Sequence, residues 1–205
     1  MSHRLMLRSL GACAATATMF VAAAAQASAA TNCVAPTLAR QFASFGDTNE
    51  YAIVPGESSD SFVGTGWTLS GGAKLLTTKL YDGASSQVLD LPSGAKAVSP
   101  TMCVTDAYSS ARAMIKTVSG SSDLTATAKY TSAPGSSTST TVTSETLTGS
   151  GIGWSLSSAL TINPPTASGW EQAVFTLQNS CKAGELQLYN FFIDPKQRST
   201  LHSAH

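Results

Sequence analysis

The sequence predicts an all-β sandwich, and three observations carry that expectation. No segment of the chain body shows a helical apolar stripe. Short alternating or apolar runs follow one another, each stopped by Gly, Pro, Ser or Asp at intervals of about 8 to 15 residues. Thr and Val are common, and a body of this size can bury enough surface to fold as one unit. The runs come in order. Tyr51–Val54 ends at Pro55-Gly56, and Trp67-Thr68-Leu69 ends at Ser70-Gly71-Gly72. Lys74–Lys79 precedes the Asp82-Gly83 turn, and Gln87–Leu91 stops at Pro92-Ser93-Gly94. Arg112–Val118 stops at Ser119-Gly120. Leu124, Ala126, Ala128 and Tyr130 alternate with Thr125, Thr127 and Lys129, as Ala173, Phe175 and Leu177 do with Val174, Thr176 and Gln178. Leu186–Ile193 is the strongest apolar run. The Ser/Thr-rich stretch from Thr131 to Gly151 reads as two outer strands with a wide loop. Alternation places one side of each strand inward, and the outward side is expected to carry mainly Thr, Ser and Lys.

The first 29 residues read as a secretory signal peptide. Arg4 and Arg8 precede an uncharged apolar stretch, and small residues surround Gln26 at the spacing a signal peptidase needs, with cleavage after Ala27 or Ala29. A secreted, extracellular protein is therefore expected, with a single domain over 30–195 and a mobile tail over 196–205. Export favours disulfides. Removing the leader removes Cys13 and leaves Cys33, Cys103 and Cys181. A Cys33–Cys103 bridge is the favoured pairing. It closes a loop of about 70 residues, worth about 4 kcal/mol in the chain-entropy account. Pairings that use Cys181 stay open on sequence alone.

Composition excludes several chemistries. The 205 residues carry 12 basic and 12 acidic side chains, without the cationic surplus a nucleic-acid partner requires. No membrane partner is expected once the leader is gone. The three histidines, His3, His202 and His205, sit at the chain ends, so the body lacks the imidazole of a Ser-His-Asp, Cys-His or zinc site. Gly64–Leu69 fails the dinucleotide fingerprint at its last glycine. Glycoside hydrolysis by paired carboxylates has Glu50, Glu57, Glu145, Glu171 and Glu185 as its candidates. Aromatic residues are only 7% of the chain, few for a catalytic cleft. A sugar ring stacks its C–H face on an aromatic side chain. Trp67 reads as core; Trp154 and Trp170 border glycine and serine loops and, with Tyr189, are the candidate ligand-binding residues. No catalytic residue and no cofactor are expected.

Phe45-Gly46-Asp47, Tyr51, Val54-Pro55-Gly56 and Gly66–Ala73 read as one extended signature. Leu89–Gly94, Ser99–Val104, Arg112 and Phe191–Pro195 continue it. This signature resembles a family of secreted actinobacterial proteins without an assigned activity, whose fold is similar to the galactose-binding-like jelly roll of carbohydrate-binding modules. The resemblance implies an antiparallel two-sheet jelly roll with an extracellular polysaccharide or cell-wall glycan as partner. It departs from the family where Phe62-Val63 replaces a Phe-Glu pair and where Tyr189-Asn190 replaces two aspartates. Such carboxylates help hold a structural calcium in related modules. Their loss leaves Asp47, Asp60 and Asp194 as remaining oxygen donors, or as turn and cap residues. The expectation is a non-catalytic, glycan-binding sandwich. Its alternatives are a structural or adhesive cell-envelope protein and a small jelly-roll glycoside hydrolase.

Overall fold

The computed structural model describes residues 38–55, 57–58, 61–104, 108–120, 123–131, 139–148, 153–162 and 171–195. Fourteen strands are present among them: β1 (Leu38–Ala39), β2 (Tyr51–Ile53), β3 (Thr68–Ser70), β4 (Lys74–Lys79), β5 (Ser85–Pro92), β6 (Lys96–Val98), β7 (Met102–Val104), β8 (Tyr108–Gly120), β9 (Leu124–Thr131), β10 (Ser139–Leu147), β11 (Ser155–Leu156), β12 (Leu160–Thr161), β13 (Glu171–Asn179) and β14 (Gly184–Pro195). A 3-10 turn spans Ala43–Phe45. Every pairing is antiparallel.

The strands form an eight-stranded and a six-stranded sheet. In the first, β14 is central: β8 pairs along its length, while β5 takes the opposite edge of its first half and β2 that of its second. β4 extends the sheet beyond β5, β1 beyond β2, and β11 and β12 beyond β8. In the second, β13 lies between β9 and the end-to-end pair β6 and β7, with β10 and β3 outermost. The chain crosses repeatedly from one sheet to the other, the winding of a jelly roll. The predicted all-β antiparallel sandwich is what the residues form.

The inner faces meet in one core. The six-stranded sheet contributes Leu124, Ala126, Ala128, Tyr130, Ala173, Phe175 and Leu177; the eight-stranded sheet contributes Leu89, Leu91, Ala113, Leu188, Phe191 and Ile193. Alanines opposite large rings let the layers interlock at interior density. Phe175 and Phe191 meet edge-on at 5.3 Å between ring centres. Trp67 packs against Phe62 in the same core, as the sequence indicated.

A β-bulge sets the register of β14. Leu186 and Leu188 point inward, the pairing with β8 shifts between Leu188 and Phe191, and Phe191 and Ile193 then point inward again. Tyr189-Asn190, the dipeptide where the resemblance departs from its family, occupies the shift and re-aims the strand.

Two loop devices lock the sandwich. Gly71, at φ +65°, sits in the β3–β4 turn with the Gly94 carbonyl 2.8 Å from where a Cβ would stand, so only glycine fits. Asn179 is fully buried. Its amide donates to the carbonyls of Leu91 (2.9 Å) and Gly184 (3.3 Å), and its oxygen accepts the Cys181 N–H (3.2 Å). Asn179→Ala strands these three backbone groups and should cost about 1–3 kcal/mol, read as a lower urea midpoint at unchanged slope.

Glu57, in the loop after β2, accepts the N–H groups of Val63 (2.8 Å) and Gly64 (3.1 Å). Burial nevertheless outweighs these bonds and pushes its carboxyl up to about 7, from 4.5. Between those values the folded protein holds a proton that the unfolded chain has released, so stability is greatest at the acid end and falls as pH rises toward 7. Melting temperatures at pH 5 and pH 7.5 should show this fall. Glu57→Gln should flatten it, and an unchanged slope in that variant would assign the effect to other groups.

Candidate functional site

On the six-stranded sheet the outward positions match the sequence expectation: Thr125, Thr127 and Lys129 alternate with buried residues. The eight-stranded sheet departs from it. Its outer face carries a second apolar cluster of Phe42, Tyr51, Val88, Met114, Tyr189 and Phe192. This is why Leu186–Ile193 is the strongest apolar run: both of its faces are buried, with Gln187 and Asn190 buried among the apolar side chains.

Three segments cover that cluster. The 3-10 turn folds across β2 and β14, where Phe42 meets Tyr51 edge-on at 4.9 Å and Phe192 at 5.2 Å. Gly46, left-handed at φ 81°, ends the turn and delivers Asp47. The β4–β5 hairpin tip brings exposed Tyr81 against exposed Phe45, ring centres 4.9 Å apart. The segment leading into β11 brings Trp154, whose indole N–H donates to the Lys79 carbonyl at 3.1 Å. The Trp154 ring lies 6.3 Å from Tyr189, edge-on, and the Lys116 ammonium stands 5.9 Å from its centre.

Beside this roof lies a shallow, open polar mouth of about 380 Å³, lined by Phe45, Gly46, Asp47, Thr48, Asn49, Arg112 and Leu156. Asp47 organises it. Its Oδ2 accepts the Tyr51 hydroxyl at 2.6 Å and lies 3.7 Å from Arg112 Nη1, and its Oδ1 accepts the Asn49 N–H at 3.0 Å. The Asn49 amide donates to Asp194 Oδ2 at 3.2 Å, which Ser110 also reaches at 3.4 Å. Burial first, then the hydrogen bond to Asp47, raises the Tyr51 hydroxyl well above its ordinary range, so it remains a donor. Of the charged residues that line the mouth, Asp47 and Arg112 balance, and the buried Asp194 stands behind Asn49. Fixed donors and acceptors beside an exposed aromatic suit a neutral, hydroxyl-rich ligand.

The structure brings Trp154 and Tyr189 together, but in a particular way. Tyr189 is 8% exposed and belongs to the second cluster; Trp154, half-buried, clamps the hairpin above it. Trp170 lies outside the described residues. The residues that form the mouth (Phe45 and Asn49 beside Asp47 and Arg112) were not singled out as ligand-binding from the sequence. One signal existed: Arg112 is a charged residue flanked by alanines on a strand with apolar positions to either side.

Cys103 is disulfide-bonded. Its expected partner, Cys33, lies outside the described residues, as do the leader, Asp60 and the tail. Cys181 carries a thiol 3.4 Å from Asp123 Oδ2. Of the hydrolase candidates, Glu50 pairs with Arg40 at 3.6 Å and Glu57 is held in its loop. Glu171 is buried on the other sheet. The Glu185 carboxyl is raised by its hydrogen bond to Asp90, then by burial and the Asp90 charge, with Lys74 opposing. Carboxyls in contact leave no room for a glycosidic bond, which needs a separation of about 5 to 9.5 Å. The Glu145 side chain lies outside the described residues. Among the described residues no group of three or more His, Cys, Asp or Glu side chains could hold a metal. Asp47 and Asp194 are instead joined through Asn49.

No protein-family model and no curated protein sequence matches the chain. Several solved structures are similar to it. One is Clostridium thermocellum endo-1,4-β-D-xylanase 10B, CBM22-1 and GH10 modules, complexed with xylohexaose (11% identity, TM-score 0.45, 71% of this chain and 29% of that one). This chain therefore spans under a third of that protein's length. Another is the CBM22-1 xylan-binding domain of Paenibacillus barcinonensis Xyn10C (17% identity, TM-score 0.41, 65% and 88%). A third is the family 6 module CsCBM6-3 of Clostridium stercorarium in complex with cellobiose (14% identity, TM-score 0.37, 63% and 87%). These neighbours include carbohydrate-binding modules, and the likeness lies in the fold alone.

Proposed function

We propose that this chain is an exported, non-catalytic sandwich that binds neutral glycans through the mouth lined by Phe45, Asp47, Asn49 and Arg112. The observation that carries the reading is the convergence of a carboxylate, an amide and a guanidinium, held by mutual bonds, beside an exposed ring. Such a set recognises hydroxyls without reorganising. The solved modules of similar fold are described as binding xylan and cellobiose, and the reading places this chain's ligand in the same broad chemical class. Among the described residues, nothing in the placement of Glu50, Glu57, Glu171 and Glu185 supports turnover. The partner is an extracellular polysaccharide or cell-wall glycan, reached after export, and a Cys33–Cys103 bridge would brace the fold there.

Retention on immobilised polysaccharides tests the reading. Neutral plant or cell-wall polymers should hold the protein on the column. No retention on any neutral polymer would end the glycan reading. The location is tested by expressing the full chain in a secreting host: protein in the medium beginning near Ser28 or Ala30 supports export, and an intact leader on cell-associated protein opposes it.

A further inference from the structure

We infer that Tyr81 stacks on the sugar unit next to the one read by the mouth, so that the ligand is a glycan chain of at least two units; this rests on the glycan-binding reading above. Among the described residues the exposed large apolar side chains are Phe45, Val63, Tyr81 and Val118, and Tyr81, at 50%, is the most exposed of them. The two aromatic ones touch each other, and Phe45 also lines the mouth. A single exposed apolar side chain is ordinary, whereas two exposed rings in contact at the border of a polar site form a surface that a ligand can cover.

The hairpin does not need the Tyr81 ring to close. Its tip is held by the Leu80 N–H on the Ala84 carbonyl at 2.8 Å and the Gly83 N–H on the Leu80 carbonyl at 3.2 Å. Asp82 Oδ1 accepts the Ala84 N–H at 2.9 Å. The Trp154 indole N–H, on the Lys79 carbonyl at 3.1 Å, ties the hairpin to the segment before β11. Tyr81 therefore rides on a braced turn, and a ligand that uses its ring has little backbone left to order. The ring meets Phe45 at 76° between planes, with centres 4.9 Å apart. An edge-on contact occupies one face of one ring and only the rim of the other, so ring face remains for a ligand. A sugar turns its C–H face to such a ring, and its hydroxyls point away from it. The mouth beside the pair is shallow and open, so a sugar held by Asp47, Asn49 and Arg112 can continue into a neighbour over Phe45 and Tyr81. The polar groups then read the hydroxyls of one unit, and the ring pair reads the C–H face of the next. Trp154 and Tyr189, the platform candidates in the sequence, are instead committed to each other and to the hairpin.

The test uses the full chain with two series of probes: xylose and its β-1,4-linked oligomers, and glucose with the matching cello-oligosaccharides. Isothermal titration gives the ratio of the affinity for two units to that for one. In the parent chain the second unit should raise affinity about twofold to tenfold, the range for one aromatic contact. Tyr81→Ala and Tyr81→Leu should bring the ratio down to about one, because leucine keeps apolar bulk but has no ring face. Tyr81→Phe, which keeps the ring, should keep the ratio. A parent ratio of about one, or a parent-like ratio in Tyr81→Leu with wild-type melting behaviour, would overturn the inference and leave the glycan reading standing. Absence of binding by the parent chain to every sugar of both series would remove both.

Discussion

An Asp47→Ala variant should lose polysaccharide retention by about tenfold to a hundredfold. The Asp47 carboxylate is the hub of the mouth, accepting from Tyr51 and from the Asn49 N–H and facing Arg112. Removing it deletes one charge-assisted contact to the ligand, worth about 1.5–3 kcal/mol. It also releases the Asn49 turn and leaves the buried Tyr51 hydroxyl without this acceptor, at a stability cost of about 1–3 kcal/mol. Asp47→Asn separates the two effects. The amide keeps an acceptor for Tyr51 and most of the shape, so stability should recover more fully than binding. Retention on a neutral polymer and thermal melting together read both outcomes. If Asp47→Ala binds as the parent does, the mouth is not where the ligand sits.

Phe175→Ala should be the most destabilising single change, about 3–5 kcal/mol. Phe175 is fully buried on the central strand of the six-stranded sheet and reaches across the sandwich to Phe191. Its neighbours on β9, Ala126 and Ala128, are too small to close the space. A cavity therefore remains, and the loss exceeds the transfer energy of the ring. Urea unfolding should show a large fall in midpoint. Phe175→Leu, which refills part of the volume, should restore a substantial share of it. A loss below about 1 kcal/mol would mean that the sheets collapse to fill the gap.

Strand positions were legible from local pattern because alternation is a local property. β9 and β13 follow it residue by residue, and the glycine turns fall where the runs stop. The short strands β1, β6, β7, β11 and β12 were not marked out as separate elements, since two or three residues carry no period. Arg112 opened an expected strand and shared the family-like signature with Phe45, and Tyr81 was not singled out. Phe45 and Tyr81 are far apart in the chain, and no spacing rule relates a 3-10 turn to a hairpin tip. Trp154 was legible as a ring near a glycine loop. That its indole N–H is committed to a carbonyl on β4 was not.

The amino-acid order alone determined an antiparallel sandwich without imidazole chemistry in its body, and its expected Thr, Ser and Lys exterior held on the six-stranded sheet. These follow from composition and from a two-residue period, both of which can be read along the chain. Only the tertiary structure decided that the other sheet carries a second apolar cluster on its outer face, that a bulge at Tyr189-Asn190 divides β14, and that Asp47, Asn49 and Arg112 converge. The physical reason is that convergence depends on strand pairing between distant segments. Arg112 reaches Asp47 because β14 holds β8 along one edge and β2 along the other, a relation that no local window contains.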